Sequence, residues 1–96
     1  MNETFVVEAR LAILGELTRQ PDGRLNETIL DSALSAQGYA RSREWLRTQL
    51  RKMEELGAIT LREAGTILIA SITRVGVEHY EQRSNIDGIA ARPLGG

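Results

Sequence analysis

Cysteine is missing from the 96 residues of this chain. That absence excludes disulfides, thiolate zinc sites and cysteine nucleophiles together, and it fits a reducing compartment. Histidine occurs once, at position 79, so no second imidazole can join it in a metal site. No apolar run reaches the length that spans a bilayer, and no membrane partner is expected. The opening MNETFVVEAR carries acids where a secretory leader carries basic residues, so a signal peptide is not expected. Internal repeats, low-complexity tracts, a glycine-rich phosphate loop, a nucleophile elbow and metal motifs are all lacking. Carboxylates such as Asp22 and Asp31 stand without partners suited to acid–base chemistry. The expectation is therefore a protein that is not an enzyme, with no cofactor, metal or small-molecule substrate, in the cytoplasm.

An excess of positive charge is lacking too. The formal net charge is −1, which argues against wholesale polyanion binding but leaves room for a local patch. Such a patch exists. Arg41, Arg43, Arg47, Arg51 and Lys52 fall within twelve residues, opposed there only by Glu44.

Ninety-six residues hold one hydrophobic core. The segment from about Glu3 to Arg19 predicts a helix, with Val6, Ile13, Leu14 and Leu17 on one face at 3.6-residue spacing. Phe5, Ala9 and Ala12 form a second seam beside that face. Two readings fit the wide apolar surface: burial on several sides by its own domain, or a homodimer interface through Phe5, Ala9 and Ala12. Arg10 falls inside the apolar arc, which suggests that this end projects past the core or meets an acid.

QPDGR (residues 20–24) is a turn by its chemistry. Asn26 is a favoured N-cap for a second helix, with Leu25 and Leu30 spaced as a hydrophobic staple. Ile29, Leu30, Ala33 and Leu34 supply that helix's buried face, and Gly38 ends it. Ser42 caps a third helix over 42–56, with Leu46, Leu50 and Met53 on one side, and Gly57 ends it. The period then changes. AITLRE (58–63) alternates and TILIASIT (66–73) is β-branched, so the pair predicts a β-hairpin broken at Ala64–Gly65. Thr73 caps a short last helix with Gly76, Val77 and Tyr80 inward and His79 exposed. Residues 1–83 make the domain, and 84–96, rich in glycine and without period, read as an irregular or disordered tail.

This order predicts a mainly α fold with a small β-hairpin: a winged helix-turn-helix with a three-helix core, a two-stranded wing and a C-terminal helix. Residues 25–61, LNETILDSALSAQGYARSREWLRTQLRKMEELGAITL, resemble the small winged-helix proteins of Mu-like bacteriophages and prophages. The resemblance rests on Asn26-Glu27, Ile29-Leu30, Ala33-Leu34 and Gly38, then Ser42-Arg43, Arg47-Thr48, Leu50, Glu55, Gly57 and Ile59-Thr60-Leu61. More broadly, the LGAITL joint and the SITRVG entry resemble regulators of the arsenic-repressor and multiple-antibiotic-repressor types. The phage resemblance implies a winged-helix protein presumed to bind DNA in the cytoplasm of a bacterial host cell. The family pattern ends in a glycine–aliphatic–basic–proline segment, and GIAARP departs from it in spacing.

In a helix-turn-helix the outward arc of the third helix enters the major groove, its first residues nearest the base edges. The expected double-stranded DNA contacts are Ser42, Arg43, Glu44, Arg47, Thr48, Arg51 and Lys52. Arg43 and Arg47 have the geometry to donate to guanine, whereas Arg51 and Lys52 suit phosphates. Gln49 is a further hydrogen-bonding candidate. The bland alternative is a solvated charged face with a routine Arg51–Glu55 pair. Glu63-Ala64-Gly65 at the wing tip is acidic to neutral, so little help is expected from Arg62. Trp45 suits either a core anchor or a base stack, and Tyr39 is expected between helices. The functional expectation is a DNA-binding transcriptional regulator, probed against the alternative of a protein–protein interaction module in a phage assembly.

Overall fold

In the computed structural model, which describes residues 3–93, the chain runs α1 (Glu3–Thr18), β1 (Arg24–Asn26), α2 (Glu27–Ala36), α3 (Arg43–Glu55), β2 (Ile59–Ala64), β3 (Ile67–Ile72) and α4 (Arg74–Tyr80). The helix boundaries follow from side chains that satisfy the orphan donors of a first turn. Asn26, Ser42 and Thr73 lie in extended backbone and accept from the N–H groups of Ile29, Trp45 and Gly76 at 2.9, 3.0 and 3.0 Å. At the other ends, Gly38 (φ +94°) and Gly57 (φ +83°) close α2 and α3. In each, two N–H groups after the helix return to its last carbonyls: Gly38 to Ser35 and Tyr39 to Leu34, then Gly57 to Glu54 and Ala58 to Met53. This paired closure needs a left-handed residue, which glycine supplies without a Cβ clash.

The expected two-stranded hairpin forms, within a sheet that holds a third strand. β2 and β3 pair antiparallel from Ile59↔Ile72 to Ala64↔Ile67, and β1 adds to the other edge of β3 through Arg24↔Ser71, Leu25↔Ala70 and Asn26↔Ile69. The sheet order is β1-β3-β2. Three residues before α2 thus become a strand because β3 offers them a free edge, and the staple residue Leu25 packs against the core from there. The fold among the described residues is four helices with a small three-stranded antiparallel sheet.

One core joins Ile13, Leu14 and Leu17 of α1 to Leu30 and Leu34 of α2, and to Leu46, Leu50 and Met53 of α3. Ile59, Leu68 and Ala70 close it from the sheet. Each large aliphatic side chain so buried contributes roughly 1.5–3 kcal/mol relative to exposure. α1 packs against α2, α3, α4, β1 and β3, which buries much of its wide apolar surface within the domain. Ala9 is fully buried in that packing, so it drops out of the expected dimer surface: no atom of it is left for a second copy. Phe5 is half-buried against Tyr39 and Trp45 at ring-centroid distances of 5.3 and 5.8 Å, with the Arg41 guanidinium 4.0 Å above it. Ala12 is half-buried against the core. Ile29 departs from the expected buried face of α2 and is 49% exposed.

α4 is seated by close backbone approach. Thr73 donates its hydroxyl to the Gly57 carbonyl at 2.6 Å and its N–H to the Ala58 carbonyl at 3.0 Å. A Cβ on Gly76 would lie 2.3 Å from that same Ala58 oxygen, so only glycine lets the helix come this near.

The tail boundary expected at residue 84 needs correction. Residues 84–93 carry no helix or strand, yet Ile86 and Ile89 belong to the core. Leu94–Gly96 lie outside the described residues. His79, expected at the surface, is 1% exposed and holds this segment down. Its Nδ1 accepts the Ile86 N–H at 2.9 Å, and its Nε2 lies 2.9 Å from the Ala90 carbonyl. A backbone N–H can only donate and a carbonyl only accept, so the ring is the neutral tautomer with its proton on Nε2. The Ala90 N–H to the Val7 carbonyl, and Arg92 to the Tyr80 carbonyl at 2.7 Å, tie the segment to α1 and α4. Arg10 feels the charge of Glu3 but forms no salt bridge among the described residues. It donates to Gln49 Oε1 at 3.0 Å and to the Gly88 carbonyl at 2.8 Å. None of these helices is long and apolar enough to cross a membrane.

Candidate nucleic-acid interface

Glu27, at the first position of α2, organises the surface on which the expected contact residues lie. Its side chain is fully buried. The fork of Arg47 closes on it with two hydrogen bonds, Nε to Oε1 at 2.7 Å and Nη2 to Oε2 at 2.8 Å. The Leu68 N–H adds a third at 2.6 Å. Arg47 Nη2 also donates to the Thr66 carbonyl at 2.8 Å, in the turn of the hairpin. One carboxylate therefore ties α2, α3 and the β2–β3 hairpin together, with the bidentate geometry that makes arginine–carboxylate pairs strong. The Arg47 hydrogen bonds, with the Leu68 N–H and the nearby guanidinium charges, hold the Glu27 carboxyl below its ordinary range against the opposing effect of burial. The same pairing raises Arg47.

Arg43 sits one turn earlier and is held differently. Its nearest acidic oxygens are Glu27 Oε1 at 3.5 Å and Asp31 Oδ2 at 3.6 Å. Neither is a hydrogen bond, and its Nε is buried with no hydrogen-bond partner. The two arginines expected to face guanine are thus both turned toward acids of α2, Arg47 firmly and Arg43 loosely.

The remaining expected residues spread along the solvent side of α3. Ser42 is exposed but its hydroxyl oxygen serves as the helix cap. Thr48 is exposed and donates its hydroxyl back to the Glu44 carbonyl at 3.0 Å. Glu44 and Arg51 are exposed, and Arg51 forms no ion pair among the described residues. The expected Arg51–Glu55 pair is replaced by Lys52–Glu55 at 3.8 Å. Gln49 leaves the candidate set. It is 5% exposed and accepts from Arg10, a contact on the far side of the helix from the exposed arc. Trp45 is half-buried beside Phe5, in keeping with an anchor. Glu54 is engaged as well, capping the Leu61 N–H on the outer edge of β2 at 3.0 Å.

Sequence reasoning missed Glu27, yet the signal was present. Glu27, Leu30 and Leu34 are spaced three and four residues apart, so an acid stands in phase with a buried stripe. A carboxylate there must find a cation or leave the fold. On α3, Arg43 and Arg47 flank the Leu46–Leu50–Met53 direction by roughly 50° and 90°, whereas Arg51 stands about 130° away, at about 100° per residue. Comparison with family models, curated proteins and solved structures found no match to the chain.

Proposed function

We propose that this chain is a winged-helix protein that binds duplex DNA through α3 and regulates transcription or another DNA transaction in a phage or prophage, acting as a homodimer. The observation that carries the reading is the solvent side of α3, where Glu44, Thr48, Arg51 and Lys52 stand exposed on a helix braced from behind by the Glu27–Arg47–Thr66 contacts. The element order and the β1-β3-β2 sheet support the winged-helix reading. A braced helix following a short turn is the arrangement that major-groove readers use. Arg51 and Lys52 then neutralise phosphates, and the dimer surface lies on parts of α1 that the domain leaves open, with Phe5 and Ala12 at its margin.

The test is duplex binding at low salt by wild type and by Arg51→Ala/Lys52→Ala. The double variant is expected to weaken binding about equally across sequences and to lower the slope of log K against log salt by about 2. Its far-UV circular dichroism should stay that of the wild type. Folded wild-type protein that retains no duplex at low salt sinks the reading.

A specific observation favours a second reading, a protein-interaction module in a phage assembly. Glu27 and Asp31 neutralise Arg43 and Arg47 within the chain, and Glu63 stands exposed near the hairpin turn. That reading predicts the same null result with DNA and an α3 surface that instead protects a protein partner.

A further inference from the structure

Two arginines one turn apart on α3 are held in opposite ways, and the difference assigns them different work. Resting on the DNA-binding reading above, we infer that Arg43 is the base-reading arginine of this protein and that Arg47 is a strut. Arg47 makes three hydrogen bonds of 2.7–2.8 Å to Glu27 and Thr66. Drawing it toward DNA would leave the buried Glu27 carboxylate without its main partner, which lowers the population of such a state by roughly 10²–10³-fold or more. Glu27 would keep only the Leu68 N–H and the distant Arg43.

Arg43 has little to lose. Its contacts at 3.5 and 3.6 Å are ion contacts without hydrogen bonds; the buried Glu27 keeps its bonds from Arg47 and the Leu68 N–H when Arg43 leaves, and the Asp31 pair joins side chains 36% and 34% exposed. A pair as exposed as Arg43–Asp31 changes an equilibrium by about fivefold or less. Swinging outward also gives its Nε a partner, which it lacks in the resting arrangement and which a buried donor otherwise forgoes at a cost. Position agrees with this. Arg43 is the first residue of α3, the part of a reading helix nearest the base edges. Its fork then spans O6 and N7 of one guanine, the commonest specific contact in the major groove. Glu27 keeps Arg47, so the hairpin and α3 hold their relation while Arg43 moves.

Selection from a randomised duplex library tests the assignment, using the full chain as wild type, Arg43→Ala, and Glu27→Gln/Arg47→Met. The second variant retains an oxygen for the Leu68 N–H and replaces the guanidinium by an apolar stem, so that it folds without a buried lone charge. Wild type should select a site containing guanine. Arg43→Ala should keep its melting temperature to within a few degrees and still bind, with preference at one base pair reduced by about 5- to 150-fold. Glu27→Gln/Arg47→Met should select the wild-type site. Preference kept by Arg43→Ala, or lost by the Glu27→Gln/Arg47→Met protein while it remains folded, overturns the assignment and leaves DNA binding standing. Wild type without duplex affinity overturns both.

Discussion

Replacing Glu27 by alanine removes a side chain with no solvent exposure, and its consequences can be worked from three contacts. The Leu68 N–H, bonded at 2.6 Å, becomes an unpaired buried donor, worth about 1–3 kcal/mol. Two charge-assisted bonds from Arg47 at 2.7 and 2.8 Å disappear. The guanidinium recovers part of that loss, because the Arg47 side chain is 35% exposed and water can reach it. With the Thr66 bond remaining, the net cost is about 3 kcal/mol, at the low end for breaking a buried ion pair. For a chain of this length that lowers Tm by roughly 12–24 °C. Thermal and urea unfolding followed by circular dichroism measure it directly. Glu27→Gln keeps one acceptor and should cost about half as much. Acid titration of the same proteins adds an independent check. The Glu27 carboxyl lies below its ordinary value in the folded chain, so its stabilisation is complete above the unfolded value of about 4.3 and is lost as pH falls below it. Wild type should therefore lose stability through that acid range more steeply than Glu27→Gln. An alanine variant within 1 kcal/mol of wild type, or equal acid slopes, would refute the view that this carboxylate joins α2, α3 and the hairpin.

Two further changes probe the frame that carries α3. Gly76→Ala puts a Cβ 2.3 Å from the Ala58 carbonyl oxygen, backbone that cannot rotate away, and should destabilise by at least about 3 kcal/mol; a loss under 1 kcal/mol in urea would mean that α4 does not seat where it is described. His79→Ala leaves the Ile86 N–H and the Ala90 carbonyl without their partner and opens a void beside them, at about 2–4 kcal/mol. Hydrogen exchange at Ile86 and Ala90 should accelerate with it, and unchanged protection at both amides would contradict the clamp.

Much of this fold is legible because its punctuation is local. Asn26, Ser42 and Thr73 declare helix starts within three residues of the donor each satisfies, and Gly38 and Gly57 declare ends by a conformation other residues avoid. The hairpin shows in a change of period. What stayed hidden depends on distant chain. β1 is three residues with no period of their own, and they become a strand only because β3 has an unpaired edge. Ile86 and Ile89 look like isolated apolar residues in a glycine-rich tail, and they are core because His79 supplies both a donor and an acceptor to the backbone around them.

The candidate interface shows the same division, with a functional consequence. A count of basic residues over 41–52 treats five cations alike, and a helix wheel separates them only into inward and outward. Their real difference lies in who holds them, and those partners are 12 to 20 residues away: Asp31 and Glu27 for Arg43, Glu27 for Arg47. A buried acid in phase with Leu30 and Leu34 draws Arg43 and Arg47 of α3 inward, so the exposed positive charge on this helix is displaced toward Arg51 and Lys52. Net local charge is then smaller than the residue count suggests, while the geometry is more rigid. For any groove-reading function this exchange matters, because a phosphate-binding surface is weakened by the loss of two free cations, whereas specificity gains from a helix that cannot rock against its hairpin. The arginine that breaks this pattern is Arg43, whose acids, at 3.5 and 3.6 Å, offer it charge without a hydrogen bond.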